Sequence, residues 1–129
     1  MKTYITVGIS MMVGAALGAG AIQTLHAQAK PVAYVVAEID VKDQAGFVKE
    51  FAPAAVKALG EDGSGYKALA RGGKTVALYG DPPKNRVVIN QFTDLDHAVA
   101  AYNSPGYKAA KEIGDKYATF RTYAVEGAQ

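Results

Sequence analysis

The chain contains no cysteine. That excludes disulfide staples, thiol catalysis and thiolate metal sites together. Of its two histidines, His26 and His97, only the second lies beyond the N-terminal apolar stretch. A zinc or copper site made by protein alone needs several such ligands, so no metal is expected. Neither sign of charge dominates: fourteen Lys and Arg stand against twelve Asp and Glu, a net +2. The basic residues are spread without a cluster, which argues against nucleic acid as a partner. Repeats of solenoid period and low-complexity tracts are also missing.

What is present begins with a segment unlike the rest. Residues 1–29 carry one charge, Lys2, and run apolar or small from Ile5 to Ile22. Ala27-Gln28-Ala29 fits the small-x-small rule of signal peptidase. The segment reads as a bacterial secretory signal peptide cleaved after Ala29. The single domain of residues 30–129 is then expected in the periplasm or outside the cell. An uncleaved anchor is the alternative, because the apolar stretch is close to bilayer length and Gly14 and Gly18 form a small-xxx-small pair. Membrane contact is expected only in that case. An exported domain this small and without staples must be held by its own core or by a partner subunit.

The domain reads as β-α-β-β-α-β. Residues 32–41 alternate and are rich in β-branched side chains, which predicts a strand. Asp43 is placed to cap a helix whose apolar residues run from Phe47 to Leu59, with Pro53 inside it predicting a kink. Residues 66–80 predict a long strand broken at Gly72-Gly73. "DPPKN" makes the turn into a strand over 86–92, and Asp94 caps the next helix. "NSPGY" ends that helix and restarts another, with Ser104 as N-cap and Pro105 as first residue. A strand over 119–127 closes the domain. The order predicts an α+β, ferredoxin-like fold: an antiparallel sheet with two helices on one face. Its other face is bare and carries Val36, Leu69, Val87 and Ile89. Covering each such side chain is worth about 1.5–3 kcal/mol, so a homodimer through the open sheet face is expected.

Several segments resemble a bacterial family, the domain of unknown function 1330, within the dimeric α+β barrel superfamily. They are "AYVVAEIDV", "RGGK" with the following "LYGD", "RVVINQF" and "YNSPGYKAA", in that order and spacing. The resemblance implies a dimeric α+β barrel. It does not imply one activity, since superfamily relatives include small monooxygenases, isomerases, haem-degrading enzymes and haem-dependent peroxidases. The sequence departs from the family pattern in four places. Ala101 stands where an aromatic residue is usual. Gln91 and Tyr79 stand where acids are usual, and Asn90 where an aliphatic residue is usual.

Two groups of residues are candidates for binding a small organic molecule. Strand parity puts Glu38 with Tyr34 on the mixed face of the first strand. Arg71 and Gln91 are assigned to the same space, where Glu38 is the natural carboxylate partner for Arg71. This group reads either as a polar patch in an apolar cavity or, more commonly for paired charges, as a structural ion pair. The second group is Tyr102, Ser104 and Tyr107 at the helix corner, where tyrosines either reach a cavity mouth or staple the corner. His97 reads as an exposed helix residue rather than a haem ligand, and no cofactor is expected.

The preferred function is a small-molecule carrier with its cavity between sheet and helices. The alternatives are a cofactor-free monooxygenase or isomerase, using Glu38, Arg71 and a tyrosine for acid–base work, and a purely structural dimerisation module. A pocket above about 300 Å³ with convergent polar groups separates the first two from the third.

Overall fold

Strand β1, Ala33–Val41, buries every second residue: Ala33, Val35, Ala37 and Ile39 point into the core. The structure is a computed structural model and describes residues 30–61 and 63–129. The signal-peptide and anchor readings of residues 1–29 lie outside the described residues. β1 is an inner strand of a four-stranded sheet of order β2-β3-β1-β4, with all neighbours antiparallel. The other strands are β2, Lys67–Arg71, β3, Arg86–Phe92, and β4, Ala118–Glu126. Cross-strand partners share a face, so the phase of β1 sets the phase of β3 and β4. Arg86, Val88, Asn90 and Phe92 therefore join the core face, opposite Ile39, Ala37, Val35 and Ala33. Val87, Ile89 and Gln91 join Glu38, Val36 and Tyr34 on the other.

The helices lie on the core face. The first, α1, covers residues 44–59. It opens under the Asp43 carboxylate, which accepts the Gly46 amide at 3.1 Å. A π turn follows at Phe47–Phe51, in which Ala52 N–H reaches back to Phe47 O. The α-helix resumes over Ala52–Leu59, with Pro53 in its first turn. The kink expected at Pro53 thus takes the form of a re-registered turn just before it, at the place where a missing N–H costs least. The corner at Ser104 is as expected. Helix α2, Leu95–Tyr102, ends there and α3, Pro105–Gly114, begins, with Ser104 Oγ accepting the Tyr107 amide at 3.2 Å. Among the described residues no helix is long and apolar enough to cross a membrane.

The expected long strand over 66–80 is not there. β2 stops at Arg71, and residues 72–85 form an arm without regular structure. Within it Leu78 and Tyr79 are 84% and 97% exposed. The pairing of β2 with β3 also slips between Ala68 and Ala70. This bulge changes the parity of the strand. Arg71 pairs across from Val88 and so belongs to the core face, while Leu69 falls at the irregularity.

Phe47, Phe51 and Phe120 pack ring against ring under α3, with Phe51 5.1 Å from Phe120. Gly114 leaves room for them: a Cβ there would lie 2.7 Å from Phe51 Cδ2 and 2.8 Å from Phe120 Cζ. Gly114→Ala should therefore lower stability by about 1–3 kcal/mol through overpacking. Thermal or urea unfolding checks this, and an unchanged midpoint would show that the ring cluster has slack.

Candidate functional site

α1 and α3 roof the core face, and under them remains a cavity of about 50 Å³. Its walls are apolar, chiefly Phe47, Phe51, Leu59, Val88 and Phe120. Its polar lining is Tyr66, Arg71, Arg86, Asn90, Tyr102 and Tyr107. The strand pattern explains how these meet. The core face of β3 reads Arg86, Val88, Asn90, Phe92, so two polar side chains are carried under the helices with the apolar ones.

Asn90 is 3% exposed. Its Nδ2 donates to the Tyr102 hydroxyl at 3.0 Å, and its Oδ1 is buried without a partner. Turning the amide over would only move the orphaned end from oxygen to nitrogen. Arg86 Nε is likewise buried without a partner. An unsatisfied buried polar atom costs about 1–3 kcal/mol, more on a charged group. Two of them on one cavity is a concentrated expense of stability.

The Arg86 guanidinium lies 5.2 Å from the Phe47 ring centre. Burial, and then the nearby charge of Arg71, hold its pKa below the ordinary arginine value. Arg71 Nη2 donates to the Tyr66 hydroxyl at 2.9 Å. Gly72 supplies the seat for Arg86. Its φ is +67°, and a Cβ there would lie 2.4 Å from Arg86 Nη1. The left-handed backbone calls for glycine.

The tyrosines form a ladder from the corner inward. Tyr107 is 4.6 Å from Tyr102, Tyr102 is 5.9 Å from Phe92, and Phe92 is 5.8 Å from Tyr66. Burial pushes the Tyr102 phenol up to about 12, against a smaller opposite pull from the Asn90 hydrogen bond. Burial, with Tyr102 beside it, raises Tyr107 further. Both are held as neutral hydroxyls.

The two candidate groups are thus redistributed. Arg71, Tyr102 and Tyr107 share the cavity. Tyr34, Glu38 and Gln91 lie on the opposite, open face of the sheet. The expected Glu38–Arg71 pair does not form, because the bulge at Ala68–Ala70 turns Arg71 the other way. Glu38, 19% exposed, bonds instead to Arg121 Nη1 at 2.8 Å across the β1–β4 pair. An acid–base set of Glu38, Arg71 and a tyrosine is therefore split between two faces.

Ser104 belongs to a different groove, with Glu61, Ser64 and His97. His97 is exposed, and its Nδ1 lies 2.7 Å from Asp94 Oδ1. The serine hydroxyls there donate to backbone carbonyls, Ser64 to Leu59 O and Ser104 to Ala101 O, so neither is offered to the imidazole as a nucleophile. The role of Asn90 and the presence of Arg86 in the site were not read from the sequence. The signal was the two-residue period of 86–92 counted back from the apolar Phe92.

A raised phenol pKa makes stability depend on alkaline pH. The unfolded chain ionises Tyr102 near 10, and the folded protein resists until about 12. Stability from this group is fully present below the lower value and is lost as pH climbs between the two. Unfolding midpoints measured from pH 8 upward should fall across that window. Tyr102→Phe should flatten the fall while lowering stability at neutral pH by about 1–3 kcal/mol, since Asn90 loses its partner. An unchanged slope in the variant would show that Tyr102 is not the group responsible.

Comparison with known proteins is consistent with this architecture. Curated proteins give no match. Among solved structures, the chain is similar to SnoaB, a cofactor-independent oxygenase from Streptomyces nogalater, with 21% identity, a TM-score of 0.53, and 78% of this chain and 96% of that one covered. It is also similar to a putative antibiotic biosynthesis monooxygenase from Caulobacter crescentus, at 17% identity and TM-score 0.55, covering 78% of this chain and 92% of that one. A dimeric ferredoxin-like protein of unknown function from Thermobifida fusca is 18% identical, with TM-score 0.50 and coverages of 78% and 92%. At such identities these likenesses establish the ferredoxin-like fold. In sequence, residues 32–128 match one family along nearly the whole described domain: the chain belongs to the domain of unknown function family DUF1330.

Proposed function

We propose that this protein is an exported, dimeric α+β barrel that holds a small organic molecule in the cavity between sheet and helices, without metal or cofactor. The observation that carries this reading is the pair of unpartnered buried atoms, Arg86 Nε and Asn90 Oδ1, on two side chains that line one cavity. Buried polar groups are normally satisfied, and a ligand's polar edge would satisfy these once their side chains turn toward it.

The cavity, about 50 Å³, is smaller than the ~300 Å³ of an ordinary ligand pocket. It accepts a small molecule or the end of a larger one. Size alone favours the purely structural reading; the convergent polar groups favour the ligand.

Dimerisation is inferred from the open face. One cross-strand row there is Ile89, Val36 and Tyr123, and the next is Val87, Glu38 and Arg121. An apolar row beside an ion pair suits a second copy of the same sheet. The Thermobifida fusca protein is itself described as dimeric. Export rests on the character of residues 1–29. The family match and the compact unit begin just after them, at residue 32 and Pro31.

Catalysis is the second reading, favoured by the likeness to a cofactor-independent oxygenase. It would rest on Arg71, Arg86, Asn90 and Tyr102, since Glu38 faces away.

Native mass spectrometry of protein purified from its own periplasm tests the proposal as a whole. The expected species is a dimer beginning at Lys30 and carrying a retained small mass. A monomer that never carries added mass would overturn it. Ile89→Lys, in the middle of the apolar row, should convert dimer to monomer in sedimentation velocity without unfolding the domain.

A further inference from the structure

Arg71 and Arg86 both line the cavity, and among the described residues no Asp or Glu does. Among the described residues neither arginine has a carboxylate within ion-pair distance. Arg121, on the open face, does have one. The pair of like charges, with Arg86 partly buried and Arg71 exposed at the rim, is therefore left without a counter-charge on this face of the sheet. Such an arrangement is unfavourable in the free protein and favourable once an anion arrives.

The geometry points to a small organic acid as the ligand, its carboxylate held by the guanidinium of Arg86 with Arg71 beside it, and a hydroxyl on the same molecule bonded to the free end of the Asn90 amide. This rests on the cavity reading above and names its ligand class. The faces of the Arg86 guanidinium are already packed. The backbone at Gly72 lies over it, where an added Cβ would come within 2.4 Å of Nη1 and 2.8 Å of Cζ. Phe47 lies against the guanidinium at 5.2 Å. What the guanidinium leaves free is its N–H edges, each a two-toothed fork of the shape a carboxylate fills.

The rest of the cavity narrows the class. Phe47, Phe51, Leu59 and Val88 give the acid's body an apolar bed. One end of the buried Asn90 amide is without a partner, so a hydroxyl on that body, which both donates and accepts, completes the site. Tetrahedral oxyanions fit less well. Phosphate wants donors on three sides, and here apolar walls occupy the others. The small volume limits the ligand to a short acid or to the acid end of a longer one.

The test uses the purified domain and graded probes: acetate, butyrate, 3-hydroxybutyrate and benzoate, the matching amides, and inorganic phosphate. Calorimetry or ligand-observed NMR reads binding. At least one carboxylate should bind, its amide should bind about tenfold to a hundredfold more weakly, and phosphate should not compete. Arg86→Gln should weaken the carboxylate by a similar factor, whereas Arg121→Gln on the far face should leave it unchanged. If Arg86→Gln fails to fold, Arg86→Lys keeps the charge and removes the fork, and should still lose about tenfold. Equal binding of acid and amide, or indifference to both Arg86 substitutions, would overturn the acid while leaving a cavity that binds neutral molecules. Preference for phosphate would overturn the carboxylate in favour of a general anion site. No binding by any probe, in a protein that also retains no molecule from the cell, would overturn the cavity reading itself.

Discussion

The two-residue period of β1 is the constraint on which the other placements depend. β1 has a paired strand on each side, so its alternation is transmitted through both ladders at once. Ala33 and Ala37 keep the core face shallow, and Val35 and Ile39 give it grip. Helices can then sit close on that side, and the opposite side inherits the mixed residues. A one-residue slip would exchange the two sets everywhere. Core, cavity and open face are therefore one decision made by nine residues of strand.

Against that background the core face of β3 is unusual. A strand that only had to fold would place apolar residues at 86 and 90, as it does at 88 and 92. Here Arg86 and Asn90 occupy those places, and their unsatisfied atoms weaken the native state. The surroundings hold them in position rather than relieve them. Gly72 yields its side chain to Arg86, Phe47 offers a ring face, and Tyr102 takes one end of the Asn90 amide. Local departures of this kind, inside an otherwise consistent fold, are where function is usually found.

Much of the fold is legible in the sequence because local chemistry and tertiary packing agree. Asp43, Asp94 and Ser104 each cap the helix that follows them, and each accepts the expected backbone amide. The strand over 86–92 has the expected bounds, since turn residues precede it and a cap follows it. The arm is different. Residues 74–79 have strand-forming side chains, but strand formation needs a neighbour to bond, and none is supplied within the domain. The site was half legible. Tyr102 and Tyr107 stand out by type and by the proline corner. A bulge is invisible to strict alternation, which puts Arg71 on the other face. Arg86 carries no signal beyond the two-residue period of its strand.

The arm carries its own safeguard. Thr75 to Tyr79 is a short window of β-branched and aromatic character held out in water, with Val76, Leu78 and Tyr79 all exposed. Windows like this template intermolecular sheets and precipitate. Lys74 stands immediately before it, and Asp81, Pro82, Pro83 and Lys84 follow after Gly80. A charge at one end, and two charges with two residues that cannot donate to a ladder at the other, are gatekeepers against runaway stacking. The "DPPK" turn thus keeps an unavoidable sticky stretch dispersed as well as reversing the chain.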